Sequence, residues 1–204
     1  MRFWESARPF IVLGKIRKLE QDVHVDRARQ DGIPILRRSS GGGTVVQGKG
    51  CFNFTLVLSK GRDTRLHDIR KSYRVILDEL VAILKGLGVD AVFQPVSDLA
   101  LAGSLLKFSG NAQHRGRNFI MHHGTILYDF DLSLIGRYLT MPDEMPEYRR
   151  QRAHHEFVVN IPVAVTKIKE AMYAHFAVTG IRTELNAEES LRLRQMLGAK
   201  SIRE

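Results

Sequence analysis

The sequence predicts an α/β or α+β sheet domain rather than a doubly wound one, and three observations carry that. Residues 52–58 set Phe52, Phe54, Leu56 and Leu58 on one face at period two, a strand pattern. Residues 67–85 repeat Ile69, Tyr73, Ile76, Leu80 and Leu84 at three-or-four spacing, a helix pattern. Strand and helix segments then follow one another without strict alternation.

The remaining elements follow in chain order. Residues 2–14 carry Phe3, Trp4, Phe10, Ile11, Val12 and Leu13 around Pro9 and predict an extended entry strand. Residues 18–30 predict a short polar helix ending before Gly32, and residues 33–37 a strand leading into the loop Ser39-Ser40-Gly41-Gly42-Gly43. After the strand at 52–58 and the helix at 67–85, Gly86 and Gly88 supply helix stops. Short strands at 91–93 and 99–102 precede residues 106–131, a predicted hairpin with His114-Arg115-Gly116-Arg117 as its polar tip. Beyond Met141 the pattern turns helical. Val165, Ile168, Met172 and Phe176 form one stripe, and Asn186 with Glu189 has capping-box spacing before the last helix. With no repeat, low-complexity tract or linker, residues 1–204 read as a single domain.

Composition narrows the function. At 44% hydrophobic and 26% charged the chain is globular, and no apolar run approaches the ~20 residues that span a bilayer. The opening MRFWESARPF has no apolar signal region. The single Cys51 excludes an internal disulfide and a cysteine-based metal cluster. These features fit a reducing, cytoplasmic setting with no membrane partner. The net charge, 31 − 22 = +9, points to an anionic partner. Two windows without Asp or Glu hold most of it: residues 32–62, with Arg37, Arg38, Lys49, Lys60 and Arg62, and residues 99–128, with Lys107, Arg115 and Arg117. The functional expectation is that both windows line one anion site; the alternative is two solvated basic loops.

Residues 43–50, Gly-Thr-Val-Val-Gln-Gly-Lys-Gly, nearly match the phosphate loop GxxxxGK(S/T). The match fails because Gly50 replaces the magnesium-binding hydroxyl and a strand, not a helix, follows. More specific is Arg37-Arg38-Ser39-Ser40-Gly41-Gly42-Gly43-Thr44. Consecutive glycines let the backbone approach a ligand, and arginine and hydroxyls add donors for an anion; a flexible turn is the alternative. In Lys107-Phe108-Ser109-Gly110-Asn111-Ala112-Gln113 a lysine among small and amide residues can be aimed at developing negative charge, or be an ordinary edge-strand lysine. His122-His123 and His154-His155 invite a metal reading, but adjacent histidines on a strand face opposite ways, and HExxH is absent, so no metal site is assigned. Cys51, entering an apolar strand, reads as a buried hydrophobe rather than a nucleophile. No nucleic-acid-binding motif is present.

Taken in order, Arg37 to Val45, Asn53, Ser97-Asp98-Leu99, Lys107 to Gln113, His122-His123-Gly124-Thr125-Ile126-Leu127, Phe130 to Ser133 and Tyr148-Arg149 resemble the lipoate–protein ligase family. That family belongs to the biotin/lipoate ligase and octanoyltransferase superfamily, and the similarity runs from about Phe3 to Asn160. The resemblance implies a mixed sheet flanked by helices, of the biotinyl/lipoyl ligase catalytic-domain type (class II aminoacyl-tRNA synthetase-like). It implies an enzyme that activates lipoate or octanoate with ATP and Mg2+ to an acyl-adenylate and passes the acyl group to a lysine. The acceptor would be a lipoyl domain of a 2-oxoacid dehydrogenase or the glycine cleavage H protein.

By the same resemblance, Lys107 is the catalytic residue, touching the acyl carbonyl and α-phosphate. Arg38, Ser40, Gly41, Gly42, Gly43, Thr44, Val45 and Val46 would hold ATP and acyl-adenylate. Asn53, Ser109, Gly110, Asn111, His123, Gly124 and Thr125 would complete the pocket. Magnesium would ride on the phosphates. Gln47-Gly48-Lys49-Gly50 leans toward the HGPG loop of octanoyltransferases, so acyl transfer from acyl carrier protein without ATP is the runner-up. The segment 91–96 holds no cysteine for a covalent intermediate. The family's first helix and the C-terminal accessory domain of some ligases are expected to be missing, and an accessory protein for adenylation is the partner that the latter's absence calls for. A non-catalytic basic binding module is the reading from a different class.

Overall fold

A computed structural model describes residues 1–200. The chain divides into two compact units, Met1–Met172 and Tyr173–Glu204. In the first, β1 (Arg2–Trp4), β5 (Cys51–Ser59), β6 (Ala91–Gln94), β7 (Asp98–Leu101), β8 (Lys107–Arg115) and β9 (Phe119–Leu127) build a six-stranded sheet in the order β1-β5-β9-β8-β7-β6. Every pairing in it is antiparallel. A second sheet, β3-β2-β4, joins β2 (Phe10–Leu13) in parallel to β3 (Ile35–Arg37) and antiparallel to β4 (Val45–Gln47). The expected mixing of strand direction is therefore confined to the small sheet.

The period-two face of β5 is the spine of the core. Phe52 and Phe54 are wholly buried and Leu56 nearly so, each burial contributing on the order of 2 kcal/mol. The helix read at 67–85 is α3 (Ile69–Gly86), which buries Ile76, Leu77, Leu80 and Leu84 and packs beside β6. Asp68 caps it, accepting from the Lys71 amide at 2.7 Å, and Gly88 ends it at φ +83°. The hairpin at 106–131 is β8–β9, and β5 pairs with β9 along its full length.

Two predicted elements differ, and one helix is new. Residues 2–14 form two strands in different sheets, because the chain turns at Pro9 between β1 and β2. Residues 18–30 form two short helices, α1 (Leu19–Asp22) and α2 (Val25–Gln30). Between them Val23 bridges Leu139 and the His24 amide donates to Tyr138 O at 2.8 Å, so tertiary backbone pairing interrupts the helix. Helix α4 (Ser133–Tyr138) was not anticipated; its Tyr138 joins Ile11, Leu13, Val23, Val46 and Phe130 in the core of the small sheet. Helix α5 (His154–Phe157) follows, and Ile168 and Met172 of α6 (Val165–His175) are fully buried. Phe176 lies one residue past α6.

In the second unit α7 (Ala187–Lys200) starts from the capping box expected there. The Glu189 amide donates to Asn186 Oδ1 and the Asn186 amide to Glu189 Oε2, both at 2.9 Å. Among the described residues no helix is long and apolar enough to cross a membrane.

Candidate active site

The glycine loop owes its position to the small sheet. Strands β3 and β4 flank β2, so the chain joining them must cross the end of β2. It is hydrogen-bonded there: the Arg38 amide donates to Leu13 O at 3.0 Å, and the Lys15 amide to Ser40 O at 2.9 Å. The approach is close enough that a Cβ on Gly14 would collide with Gly42 O, and Gly42 itself sits at φ +85°. Arg38 staples the loop from within. Its guanidinium donates to Gly41 O at 2.6 Å, Gly43 O at 2.7 Å and Val12 O at 3.3 Å. Burial pushes its pKa down from the ordinary arginine value.

Both ends of the loop are tied to other elements. Ser40 Oγ lies 2.6 Å from His123 Nε2 on β9. Thr44 Oγ1 donates to Asp22, which also holds Arg17 in a salt bridge whose Nε donates at 2.7 Å. Hydrogen bonds from Arg17 hold the Asp22 carboxyl below its usual range.

The opposite wall is the β7–β8–β9 face of the large sheet. Lys107 opens β8 and Asp98 opens β7; Lys107 Nζ meets Asp98 Oδ1 at 2.7 Å, while Tyr148 Oη donates to Asp98 Oδ2 at 2.7 Å. The pair passes over Gly110, where a Cβ would stand 3.3 Å from both Lys107 Cε and Nζ. Deeper in, Gln47 donates to Thr125, Thr125 to Asn53, and Asn53 back to Gln47, at 2.8, 2.7 and 2.9 Å. A Cβ on Gly124 would collide with Asn111 Oδ1 and stand 2.7 Å from Phe54 Cζ. His122 and His123 face opposite ways, as adjacent strand residues must. His122 is fully buried, its ring against those of Phe54 and Tyr73, and burial lowers its pKa to about 3. Burial, reinforced by the Arg38 charge, lowers His123 to about 4.

These walls enclose a cavity of about 330 Å3. Of the residues expected at the site, Arg38, Gly42, Gly43, Thr44 and Val45 line it from the loop side. Asn53, Lys107, Gly110, Asn111, His123, Gly124 and Thr125 line it from the sheet side. Ser40, Val46 and Ser109 do not; they are buried behind the wall, Ser40 against His123 and Val46 in the small-sheet core. Gly41 is also off the lining, though its carbonyl is held by Arg38. Asp98 and Tyr148 stood in the quoted segments without a role, and nothing in the sequence pattern marked Trp4 or Gln47 as lining residues.

Residues of both basic windows line this one cavity, but most of the windows' charge does not. Only Arg38 and Lys107 reach the cavity. Arg37 donates to Gly14 O and Arg17 O, Arg115 to Leu66 O and His67 O, and Lys60 to Gly116 O, each spent on backbone carbonyls away from the cavity. Lys49, Arg62 and Arg117 are exposed. Cys51 is buried, which pushes its thiol up to about 12. A larger hollow of about 580 Å3, lined by His24, Met141 and His154 among others, contains none of the expected site residues. Among the described residues no cluster of three or more His, Cys, Asp or Glu could hold a metal, and Asp98, the cavity's carboxylate, is committed to Lys107 and Tyr148.

Comparison with known proteins finds relatives of one family. The family described as "Lipoyl protein ligase A/B catalytic domain" matches residues 1–185. A probable lipoate-protein ligase A from Mycoplasma pneumoniae is 26% identical over 193 residues, covering 92% of this chain and 55% of that protein. Octanoyltransferase LipM from Geobacillus kaustophilus is also 26% identical, over 203 residues covering 86% of this chain and 73% of that one. The chain spans about half the length of the lipoate-protein ligases it matches among mycoplasmas. Among solved structures, a bipartite lipoate protein ligase described with its E2 lipoyl domain, from Thermoplasma acidophilum, superimposes with a TM-score of 0.80 at 25% identity, covering 96% of this chain and 78% of that one. A lipoate-protein ligase A bound with ATP gives 0.76 at 25% identity, covering 96% and 79%.

Proposed function

The chain belongs to the lipoyl protein ligase A/B catalytic-domain family, and from that premise we propose that it activates lipoate or octanoate with ATP and transfers the acyl group to a lysine of a lipoyl domain. One observation carries the reading: a single cavity gathers the glycine loop, Arg38 and Lys107. Attack of a carboxylate on the α-phosphate accumulates negative charge, and Lys107 with the loop supplies fixed positive charge and amide donors around it. Arg38 and residues 43–46 would hold the nucleotide, Val46 through its backbone alone since its side chain is buried. Lys107 would bridge acyl carbonyl and phosphate. The donor set offers no dedicated magnesium site, so the ion would arrive on the phosphates. The ATP-bound relative and the bipartite ligase described with its E2 lipoyl domain support the nucleotide and the acceptor, and the latter makes a second subunit a natural partner.

A second reading has a specific support: the octanoyltransferase LipM is as similar to this chain as the mycoplasma ligase. In it the acyl group comes from acyl carrier protein and ATP is not needed. The two separate in one assay. The chain is incubated with an apo lipoyl domain and either lipoate or octanoate, ATP and magnesium, or octanoyl-acyl carrier protein, and mass spectrometry follows acyl-AMP and the acceptor's added mass. ATP-dependent acylation is the expected result; acylation from the carrier alone selects the second reading, and silence in both arms overturns the proposal.

A further inference from the structure

Four titratable side chains line the cavity: Arg38, Asp98, Lys107 and His123. Two are cations. His123 is held neutral near pH 7, and its Nε2 is taken up by Ser40. Asp98 alone combines negative charge with a place on the cavity wall. Its two oxygens have different partners. One oxygen is fixed by Tyr148 at 2.7 Å, and the other holds a lysine ammonium, Lys107, at 2.7 Å. No side chain stands under that ion pair, because the β8 residue paired with Asp98 is Gly110.

We propose that Asp98 is the receiving group for the acceptor lysine: its carboxylate binds the incoming ammonium in the place that Lys107 occupies here, and takes up its proton. This rests on the reading above that the acceptor is a lysine amine, and holds for either acyl donor. Lys107 is required at the acyl group, so in the loaded state it leaves Asp98, and Tyr148 keeps the emptied carboxylate in place. A free lysine, with a pKa of about 10.4, arrives protonated and is no nucleophile. Asp98 accepts its first proton. The nitrogen lone pair then forms the C–N bond, and the acyl C–O bond to phosphate breaks, its electron pair leaving with AMP; with a carrier donor the C–S bond breaks and a thiolate leaves. The second proton passes from nitrogen to the departing phosphate, or to the thiolate, as the tetrahedral intermediate collapses, and Asp98 returns the first to water. The charged or titratable groups facing Asp98 are Lys107 from β8 and Tyr148 and Arg149 from the turn Glu147–Arg149, with Arg152 beyond Tyr148.

The test compares two acceptors. Lysine of the lipoyl domain must lose a proton before attack, whereas hydroxylamine is already unprotonated at neutral pH. For Asp98→Asn the ratio of transfer to lysine over transfer to hydroxylamine is expected to fall roughly a hundredfold, whatever happens to acyl-AMP formation. That deficit narrows as pH rises from about 7 to about 9.5, because solvent then deprotonates the acceptor. A ratio unchanged within about twofold, or a fall that does not narrow at high pH, overturns the proposal. Tyr148→Phe, which keeps the carboxylate and loosens it, shows the same selectivity to a smaller degree and serves if Asp98→Asn does not fold. A wild-type chain that forms no acyl-AMP but acylates lysine from a carrier defeats the ATP reading alone, and the same ratio is then measured with that donor.

Discussion

Lys107 is the residue on which the proposed chemistry turns, and its surroundings let its role be separated from folding. It is partly exposed and its main-chain carbonyl is anchored by the Val159 amide at 2.9 Å, so truncating the side chain leaves the strand paired. Lys107→Ala is expected to lower acyl transfer roughly 100- to 1000-fold with an unchanged circular dichroism spectrum. Wild-type rates in a folded variant would remove Lys107 from the mechanism. Cys51 makes the opposite prediction. Buried and shifted to about 12, its thiol resists thiol reagents until the chain unfolds, and Cys51→Ala keeps its transfer activity. Rapid labelling of the native protein would contradict the burial seen here.

At the scale of elements, legibility followed length and periodicity. β5, α3 and the β8–β9 hairpin each carry enough repeats for their pattern to stand out, and each lies where the sequence reading puts it. Strands of three residues, such as β4, hold too few positions to show a period. The break between α1 and α2 is invisible locally because its cause, Leu139 and Tyr138, is more than a hundred residues away. The candidate site was legible for a different reason: the resemblance rests on ordered motifs, and much of the cavity's lining falls in short runs within them, Gly42–Val45, Gly110–Ala112 and His123–Thr125. What was missed, Asp98 with Tyr148 and Asp22 with Thr44, joins residues from separate elements far apart in sequence. The tight crossing of β5, β8 and β9 also makes a prediction. Gly124→Ala places a methyl against Asn111 and Phe54, at a cost of about 2–3 kcal/mol. That corresponds to a melting temperature lower by roughly 5–10 °C, and an unaltered melt would show that the strands can part.

At the scale of the whole molecule, buried neutral histidines set the response to acid. His122 and His123 have folded values of about 3 and about 4, below the ordinary value of 6.5. The unfolded chain binds their protons first, so the stability they contribute is complete above about pH 6.5 and is lost as pH falls toward the folded values. The free energy of unfolding should drop by roughly 2–3 kcal/mol per pH unit between about pH 6 and 4.5. Denaturant titrations across that interval check it, and a flat profile would mean that these imidazoles are solvated. His154, whose value burial also lowers, adds in the same direction.

The closed circuit of Gln47, Thr125 and Asn53 has a consequence for what the cavity will welcome. By side-chain identity that patch is hydrophilic. Yet each member hands a hydrogen to the next, and Asn53 gives its other one to Cys51 O at 3.0 Å. An alkyl chain pressed against the circuit therefore breaks none of its bonds. The patch is polar in composition yet closed upon itself, and under the proposed function it is a floor on which a hydrocarbon tail lies without unmaking any of it.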